Sequence, residues 1–303
     1  MNSHTPQAQS GLSDPGRIRE ILSRHGFHFS KALGQNFLIN PGVCPRMAAE
    51  CGAENCKGVI EVGPGIGVLT WELSQAADKV CAIELDRRLF PVLEETLSGC
   101  SNVKIIPGDV MKLDLAQLIQ EEFEGGPVCV CANLPYYITS PVILRLLEER
   151  LPVTSITVMV QKEAAVRLCA APGSKECGAV SAAVHYRARP RILFQVGRGS
   201  FLPPPKVDSA VIRLDLLPEP PVRVADEDWF FQVVRGAFAQ RRKTAANSLS
   251  SALGLEKARI EAALEGRGIS PAIRAERLTL EQLADLSNAL EKGACAPEKK
   301  RVQ

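Results

Sequence analysis

Short apolar runs separated by polar and amphipathic stretches dominate the first half of the chain. Runs of this length are typical of buried strands, and helices are predicted to begin near Gly67, Arg87 and Ser140-Pro141 in the stretches between them. Strands and helices that alternate at this spacing predict a mostly parallel sheet with helices on both faces, which is an α/β fold. The predicted strands are Val59-Ile60, Val80–Glu84, Val103–Ile106, Val128–Ala132 and Val153–Val160.

The pattern changes beyond the proline-rich stretch Leu217–Pro221, where apolar periodicity predicts a small helical domain. Before this stretch, Ile192–Val196 and Val207–Leu214 are predicted to pair as a hairpin across a proline-rich loop. We therefore expect a flexible tail at 1–13, an α/β domain at 14–217 and a helical domain at 222–303. The other predicted helices are Ile18–Leu22, Pro41–Cys51, Gln161–Leu168, Glu227–Phe238, Arg242–Ala252, Leu255–Gly266 and Thr279–Lys292.

A glycine-rich turn, Glu61–Thr70, follows the first predicted strand. Its glycines at 63, 65 and 67 let the backbone pass close beneath a ligand before the next helix starts. A dinucleotide fingerprint needs glycines at 63, 65 and 68, but position 68 is valine, and the Gly-Lys-Ser/Thr of a phosphate loop is absent. The spacing therefore disfavours a dinucleotide-dependent oxidoreductase.

Carboxylates follow the next two strands. In a doubly wound sheet, ligands bind beyond the carboxyl ends of the strands, which is where Glu84 and Asp109 are predicted to lie. An acid at the position of Glu84 is suited to hold the ribose hydroxyls of an adenosine-containing cofactor. Asp109 is suited to accept a hydrogen bond from an adenine amine.

Asn133-Leu134-Pro135-Tyr136 follows the fourth strand. The Asn133 side-chain oxygen and the Leu134 carbonyl both accept hydrogen bonds, and Pro135 restricts the turn that aims them. Tyr136 offers a ring face on which a planar base can stack. This arrangement predicts a pocket for the amino group of a nucleobase, although ordinary strand-to-loop turns also use asparagine and proline.

Composition restricts the class of protein further. The chain has 303 residues, a formal net charge of +2 and no apolar stretch long enough for a membrane span, and residues 1–13 lack the apolar core of a signal peptide. Ten cysteines and four histidines show no metal-ligand spacing, so we expect reduced structural thiols and no metal site. These features predict a cytoplasmic protein that does not act at a membrane.

Because the net charge is close to zero, nucleic-acid affinity must come from local patches. One stretch, Arg187–Arg213, holds six basic residues and the single acid Asp208. A second, Arg235–Lys243, holds four basic residues and no acid. Either patch has the composition of an RNA-binding surface or of an ordinary solvated face.

Taken together, the four strand-end motifs resemble class I S-adenosylmethionine-dependent methyltransferases that act on amino groups. Three further segments, Phe29–Leu38, Phe201–Ser209 and Phe238–Thr244, are similar to the rRNA adenine N6-dimethyltransferase family, and especially to its small-subunit members. The resemblance runs from about Phe29 to Leu290. It departs from the family at Ala245-Ala246, where a bulkier apolar residue and often a basic one are expected.

The resemblance implies a Rossmann-like methyltransferase domain at 14–217, an RNA-binding helical domain at 222–303, and specific roles for individual residues. The implied cofactor is S-adenosyl-L-methionine, bound by Asn36, Leu38, Gly63, Gly65, Glu84, Asp109 and Asn133. The implied catalytic residues are Asn133, Leu134, Tyr136 and Phe201. The implied RNA-binding residues are Arg187, Arg191, Arg198, Lys206, Arg241, Arg242 and Lys243.

The implied reaction is dimethylation of the N6 amines of two adjacent adenosines near the 3′ end of 16S rRNA. The expected partner is this rRNA in the 30S ribosomal subunit or its precursor, and the expected state is a monomer. Two alternatives stay open: a large-subunit rRNA methyltransferase of the antibiotic-resistance type, and a non-catalytic ribosome-assembly or transcription factor on the same fold.

Overall fold

The computed structural model describes residues 11–28 and 36–290, which divide into two units. The first unit comprises the described residues up to Ala165 together with Arg189–Leu217. The second comprises Val166–Ala188 and the described residues from Pro218 onward.

Every predicted strand forms in the structure. The strands, in chain order, are β1 (Phe37–Leu38), β2 (Gly58–Val62), β3 (Val80–Glu84), β4 (Val103–Pro107), β5 (Val128–Asn133), β6 (Val153–Gln161), β7 (Ala188–Val196), β8 (Phe201–Leu202) and β9 (Ser209–Leu216). Seven of them form one sheet in the order β4-β3-β2-β5-β6-β9-β7, in which β4 to β6 are parallel and β9 is antiparallel to β6. The short strands β1 and β8 form an antiparallel pair.

The helices of the first unit follow the predicted alternation. They are α1 (Pro15–Arg24), α2 (Val43–Ala49), α3 (Val68–Ala76), α4 (Phe90–Thr96), α5 (Leu115–Phe123) and α6 (Thr139–Glu148). Every residue of β2 and β3 is buried, as expected for central strands of a sheet covered on both faces. The predicted Rossmann-like α/β fold is therefore confirmed, and the carboxyl ends of its parallel strands meet at one edge.

The remaining helices lie wholly or partly in the second unit. They are α7 (Lys162–Cys169), which begins in the first unit, α8 (Ala179–Arg187), α9 (Glu227–Phe238), α10 (Ala245–Leu253), α11 (Lys257–Glu265) and α12 (Leu280–Ala289). The predicted helix Arg242–Ala252 begins three residues late because Thr244 caps it, its side chain accepting a hydrogen bond from the Asn247 amide at 3.3 Å.

Two expectations about domain boundaries need correction. Residues 166–188 were expected in the first domain, but Tyr186 packs against Phe230 and Phe231 of α9, with ring centroids 4.6 and 5.5 Å away. The tail was expected to extend to residue 13, yet Leu12 is only 4% exposed and belongs to an apolar cluster of the first unit. Residues 1–10, 29–35 and 291–303 lie outside the described residues, and with them most of the Phe29–Leu38 motif.

Within the part of the chain that the structure describes, no helix is both long and apolar enough to cross a membrane.

Candidate active site

A pocket enclosing about 1150 Å³ of empty space, part of it open to solvent, lies beyond the carboxyl ends of the parallel strands. This is the edge at which doubly wound sheets bind their ligands. All residues predicted to bind the cofactor or the acceptor line it: Asn36, Leu38, Gly63, Gly65, Glu84, Asp109, Asn133, Leu134, Tyr136 and Phe201. Residues far apart in the sequence are thus brought to one cavity.

The glycine turn forms the floor of this pocket between β2 and α3. Gly63, Gly65 and Gly67 have φ values of 70°, 61° and 89°, a region that side-chain-bearing residues rarely adopt. A Cβ atom added to Gly65 would also lie 3.2 Å from the Phe37 ring. Glycine is therefore required at 65 by backbone conformation and by space together.

Glu84 ends β3 and presents a buried carboxylate to the pocket. Its Oε1 accepts a hydrogen bond from the Asp86 amide at 2.6 Å. Desolvation by burial raises the pKa of Glu84 to about 7, although the backbone amides around it, with that of Asp86 first, oppose the shift. A carboxylate in this state gains from hydroxyl donors, which would replace the water that it has lost.

Glu61 is a second buried acid in the same pocket, and the sequence analysis did not select it. It is 1% exposed, and within the described residues its Oε2 has no hydrogen-bond partner. Burial raises the pKa of Glu61 to about 8, and the nearby charge of Glu84 adds to the shift. The signal available in the sequence was an acid inside an otherwise apolar strand, directly before the glycine turn.

Asp109 lies in a tight loop after β4. Its Oδ1 accepts a hydrogen bond from the Met111 amide at 2.9 Å, and its Oδ2 lies 3.9 Å from the Lys112 ammonium. Arg145 of α6 anchors the same loop, because its guanidinium donates hydrogen bonds to the carbonyls of Val110 and Leu113. Sequence reasoning also missed Arg145, whose role depends on contacts between distant segments.

Asn133 and Leu134 present two polar acceptors where β5 ends. The Leu134 amide donates to the Met159 carbonyl at 3.3 Å, which ties the turn to β6. No hydrogen bond joins the Asn133 side chain or the Leu134 carbonyl to another described residue. Both residues line the pocket.

Tyr136 closes this side of the pocket. Its hydroxyl lies 2.8 Å from the Ser209 hydroxyl at the start of β9, which fixes the ring. Partial burial raises the pKa of Tyr136, so the phenol stays neutral near pH 7. Phe201 also lines the pocket, but it is only 3% exposed and packs into an apolar core cluster. Its predicted stacking role therefore stays a prediction beside a clear packing role.

Comparison with known proteins assigns this chain to a family. A family model described as ribosomal RNA adenine dimethylase matches residues 26–292. The chain belongs to this family.

Its relatives within the family are similar over almost their whole length. The chain is 50% identical over 283 residues to a ribosomal RNA small subunit methyltransferase A of Geobacillus thermodenitrificans (strain NG80-2), covering 92% of the chain and 97% of that protein. It is 47% identical over 282 residues to the protein of the same name of Alkaliphilus oremlandii (strain OhILAs), covering 93% and 98%.

Two solved structures share the fold. The 23S rRNA methyltransferase ErmE superposes with a TM-score of 0.63 at 27% identity, covering 84% of the chain and 99% of that structure. A dimethyladenosine transferase from Plasmodium falciparum superposes with a TM-score of 0.61 at 24% identity, covering 83% and 95%, which supports the fold alone.

The structure divides the first predicted RNA patch of this family member into separate parts. Arg187 has little free surface, since its side chain is only 15% exposed and its guanidinium lies 2.6 Å from the Glu227 carboxylate; its RNA role stays a prediction. Arg191 lies 3.5 Å from Asp215, which pairs with Ser155 near the start of β6, at the edge opposite the pocket. Its RNA role stays a prediction, without support from proximity to the pocket.

Arg198 and Lys206, by contrast, are exposed and lie in the segment that connects β7 to β9 at the pocket edge. This segment contains Phe201 of the pocket wall. Their predicted RNA role is therefore compatible with their position, although no contact tests it.

The second patch is exposed, and of its basic residues only Arg235 lies in a helix, α9. Arg241, Arg242 and Lys243 lie between α9 and α10. Ala245 and Ala246, the departures from the family pattern, are both fully buried at the start of α10. A basic side chain at either position would be buried in this chain, so their small size follows from packing.

Proposed function

We propose that this chain uses S-adenosyl-L-methionine to dimethylate the N6 amines of two adjacent adenosines near the 3′ end of 16S rRNA. The substrate is the 30S ribosomal subunit or its precursor, and we place the enzyme in the cytoplasm as a monomer. One observation carries the proposal: Asn133 and Leu134 line the pocket, and the Asn133 side chain and the Leu134 carbonyl have no hydrogen-bond partner among the described residues.

The chain's residues fit the proposed cofactor. Glu84 offers a desolvated carboxylate to two ribose hydroxyls, and Asp109 lies on the next strand end for the adenine amine. The glycine turn leaves room close to the backbone, since Gly63 and Gly65 carry no side chain. Asn36 and Leu38 line the same pocket beside the turn. S-adenosylmethionine supplies an electrophilic methyl group when bound.

The acceptor is the difficult part of the reaction. The lone pair of an adenine exocyclic amine is delocalised into the ring and is a poor nucleophile. Hydrogen bonds from this amine to Asn133 and to the Leu134 carbonyl would favour a tetrahedral nitrogen and aim its lone pair. Tyr136, held by Ser209, would stack on the base that enters the pocket, which offsets part of the cost of unstacking it from the RNA.

The alternatives receive less support. The large-subunit alternative rests on the likeness to ErmE at 27% identity, whereas the relatives named for the small subunit are 47% to 50% identical to this chain. A non-catalytic factor would have no need to keep two unpartnered acceptors beside a cofactor-sized pocket.

The decisive experiment is methylation of purified ribosomal subunits. Small subunits and large subunits from a strain that lacks this enzyme are incubated separately with the protein and labelled S-adenosylmethionine. We expect label in the small subunit only, as N6,N6-dimethyladenosine at two adjacent positions detected by a primer-extension stop. Labelling of large subunits alone would favour the resistance-type activity, and no labelling of either would favour the non-catalytic factor.

A further inference from the structure

Three exposed cations lie on neighbouring segments of the chain at the pocket edge. Lys162 directly follows β6, while Arg198 and Lys206 lie in the segment between β7 and β9. None of the three side chains forms an ion pair with any residue that the structure describes, and the adjacent acid Glu163 is not within ion-pair distance of them. Unpaired cations on a rim are available to an anionic ligand.

Asp208 organises this cluster. Its carbonyl accepts a hydrogen bond from the Lys162 amide at 3.0 Å, and its Oδ1 accepts one from the Arg198 amide at 2.9 Å. Lys206 is only two residues away in the chain. Asp208 therefore joins the segment of Lys162 through its main-chain carbonyl and that of Arg198 through its carboxylate, without forming an ion pair with any of the three side chains.

The cluster is tied directly to the acceptor pocket. Ser209, the next residue, pairs with Gln161 across the sheet and lies 2.8 Å from the Tyr136 hydroxyl through its Oγ. Asp208, which contacts the Arg198 amide, is therefore followed directly by Ser209, which fixes the Tyr136 ring. A displacement of Asp208 would change the positions of both the Arg198 backbone and the Tyr136 hydroxyl.

We propose that Lys162, Arg198 and Lys206 form a phosphate-binding surface that holds the RNA backbone next to the adenosine entering the pocket, and that the Asp208 carboxylate positions Arg198 within it. This inference rests on the proposed function, because it takes single-stranded RNA as the ligand. A base that leaves its stack brings its own flanking phosphates to the rim of the pocket. Cations on the segments that adjoin Ser209, the residue that fixes the Tyr136 ring, would set the register of the strand.

The test compares two triple variants with equal loss of charge. One is Lys162→Ala with Arg198→Ala and Lys206→Ala. The matched control is Lys57→Ala with Lys79→Ala and Lys104→Ala, since these cations lie before or near the starts of β2, β3 and β4, at the opposite edge. Binding of unmethylated small subunits is measured by filter retention over a range of salt, and calorimetry with S-adenosylmethionine checks that each variant is folded.

We expect the rim variant to lose at least tenfold in affinity for small subunits, with a log–log salt slope shallower by about 2, since each phosphate contact contributes ~0.7. The control variant should keep the wild-type slope, and both should keep the wild-type cofactor affinity. Equal slopes and affinities for the rim variant and the control would overturn the proposal. Wild-type protein that methylates the same small subunits with labelled S-adenosylmethionine shows that such a failure concerns this surface and not the proposed function.

A pair of substitutions at Asp208 separates geometry from diffuse charge. Asp208→Asn removes the negative charge but keeps an oxygen for the Arg198 amide, whereas Asp208→Ala removes both. We expect Asp208→Ala to bind small subunits several-fold more weakly than Asp208→Asn. If Asp208→Ala binds as tightly as Asp208→Asn or more tightly, the Asp208 carboxylate does not position Arg198 for RNA binding, and the role proposed for Asp208 is wrong.

Discussion

The Asn133 side chain lines the pocket and has no hydrogen bond to another described residue. Replacing it by alanine therefore removes only the proposed interaction with the acceptor and leaves the protein's own hydrogen bonds intact. We expect Asn133→Ala to lower the rate of methyl transfer by about 10²–10³, as for the loss of one positioned polar group at a reacting centre. Single-turnover methylation of prebound small subunits at saturating cofactor measures this rate.

RNA binding is the control for Asn133→Ala, because orientation of the amine contributes little to the affinity of a large RNA surface. The variant should bind unmethylated small subunits within about twofold of wild type, which corresponds to less than about 0.5 kcal/mol. A variant that transfers methyl groups near the wild-type rate would remove Asn133 from the mechanism.

Glu84 should make cofactor affinity depend on pH. Its pKa lies at about 7 in the cofactor-free protein, so the carboxyl is partly protonated near neutrality. Ribose hydroxyls donate to the ionised form, so binding should release protons below this pKa, and the affinity should rise as the pH rises through about 7. Calorimetric titrations in buffers of different ionisation enthalpy measure both the affinity and the proton release.

The matched variant is Glu84→Gln, which keeps the shape and loses the titration. It should bind S-adenosylmethionine more weakly by ~1–3 kcal/mol at high pH, since ribose hydroxyls then meet a neutral partner. Its affinity should also vary less with pH than that of wild type. A pH dependence equal to that of wild type would mean that another group titrates.

The raised pKa of the buried acid Glu61 also predicts how the stability of the protein depends on pH. Burial raises the pKa of Glu61 from 4.5 to about 8, so between these values the folded chain binds more protons than the unfolded chain. The free energy of unfolding of the cofactor-free protein should therefore fall as the pH rises through this range. Urea unfolding at several pH values should show a shallower fall for Glu61→Gln than for wild type. An equal fall in both proteins would exclude Glu61 as its source.

At this scale the sequence predicted the residues whose identity and position within a motif are unusual, and it missed those defined by contacts. Asn133 and Glu84 stand directly at strand ends, so their location at the pocket followed from the alternation of elements. Arg145 contacts the carbonyls of Val110 and Leu113, which lie more than thirty residues earlier in the chain. Nothing in the local sequence indicates such a contact, because arginine is also common on exposed helix faces.

At the scale of elements, α6 connects two segments that line the pocket. It starts just after the Asn133–Tyr136 turn, and its Arg145 donates hydrogen bonds to the loop that carries Asp109. Replacing this arginine leaves two loop carbonyls without their donors. We therefore expect Arg145→Met to weaken cofactor binding about five- to tenfold, because the cost of two mispositioned hydrogen bonds is ~1 kcal/mol or more. Isothermal titration with S-adenosylmethionine measures the effect.

Glu149→Gln is the control for this clamp. It removes the charge that pairs with Nε of the Arg145 guanidinium but leaves both carbonyl contacts of its other two nitrogens possible. Its cofactor affinity should stay close to wild type, since an ion pair between partly exposed groups contributes little. If both variants bind equally well, the loop does not depend on Arg145.

The elements themselves were mostly predictable because strong periodicity and turn residues coincide in the parallel half of the chain. All five predicted parallel strands form, with ends within about two residues of the expected positions. Helix α5 was not predicted, although Asp114 caps it and it has an apolar face. Helix α8 was missed because it is almost wholly buried, so it shows no alternation of apolar and polar positions.

At the scale of the whole molecule, the assignment of residues 166–188 to the second unit could not be read from the chain. The boundary at Leu217 coincides with a proline-rich stretch, which composition reveals. The earlier excursion into the second unit depends on Tyr186, whose partners Phe230 and Phe231 lie more than forty residues later. Long-range aromatic packing leaves no local signal in the sequence.

The net charge of the chain likewise does not indicate where its cations cluster. A net charge of +2 over 303 residues cannot by itself attract RNA, so local clusters must supply the affinity. The structure leaves exposed cations at the pocket rim in the first unit and at Arg241-Arg242-Lys243 in the second. Two separate clusters would hold the substrate at more than one place, which suits a large and structured ribosomal particle.

The second cluster gives the prediction for the molecule as a whole. Replacing Arg241, Arg242 and Lys243 together by alanine should weaken binding to small subunits and flatten its salt dependence by about 2 in log–log slope, because ~0.7 is lost with each phosphate contact. Cofactor affinity should not change, since none of the three lines the pocket. The matched control replaces Lys257, Arg267 and Arg274, exposed cations elsewhere in the second unit. A cluster variant that keeps both the affinity and the slope of this control would reduce Arg241-Arg242-Lys243 to a solvated face and leave the pocket rim as the leading RNA surface.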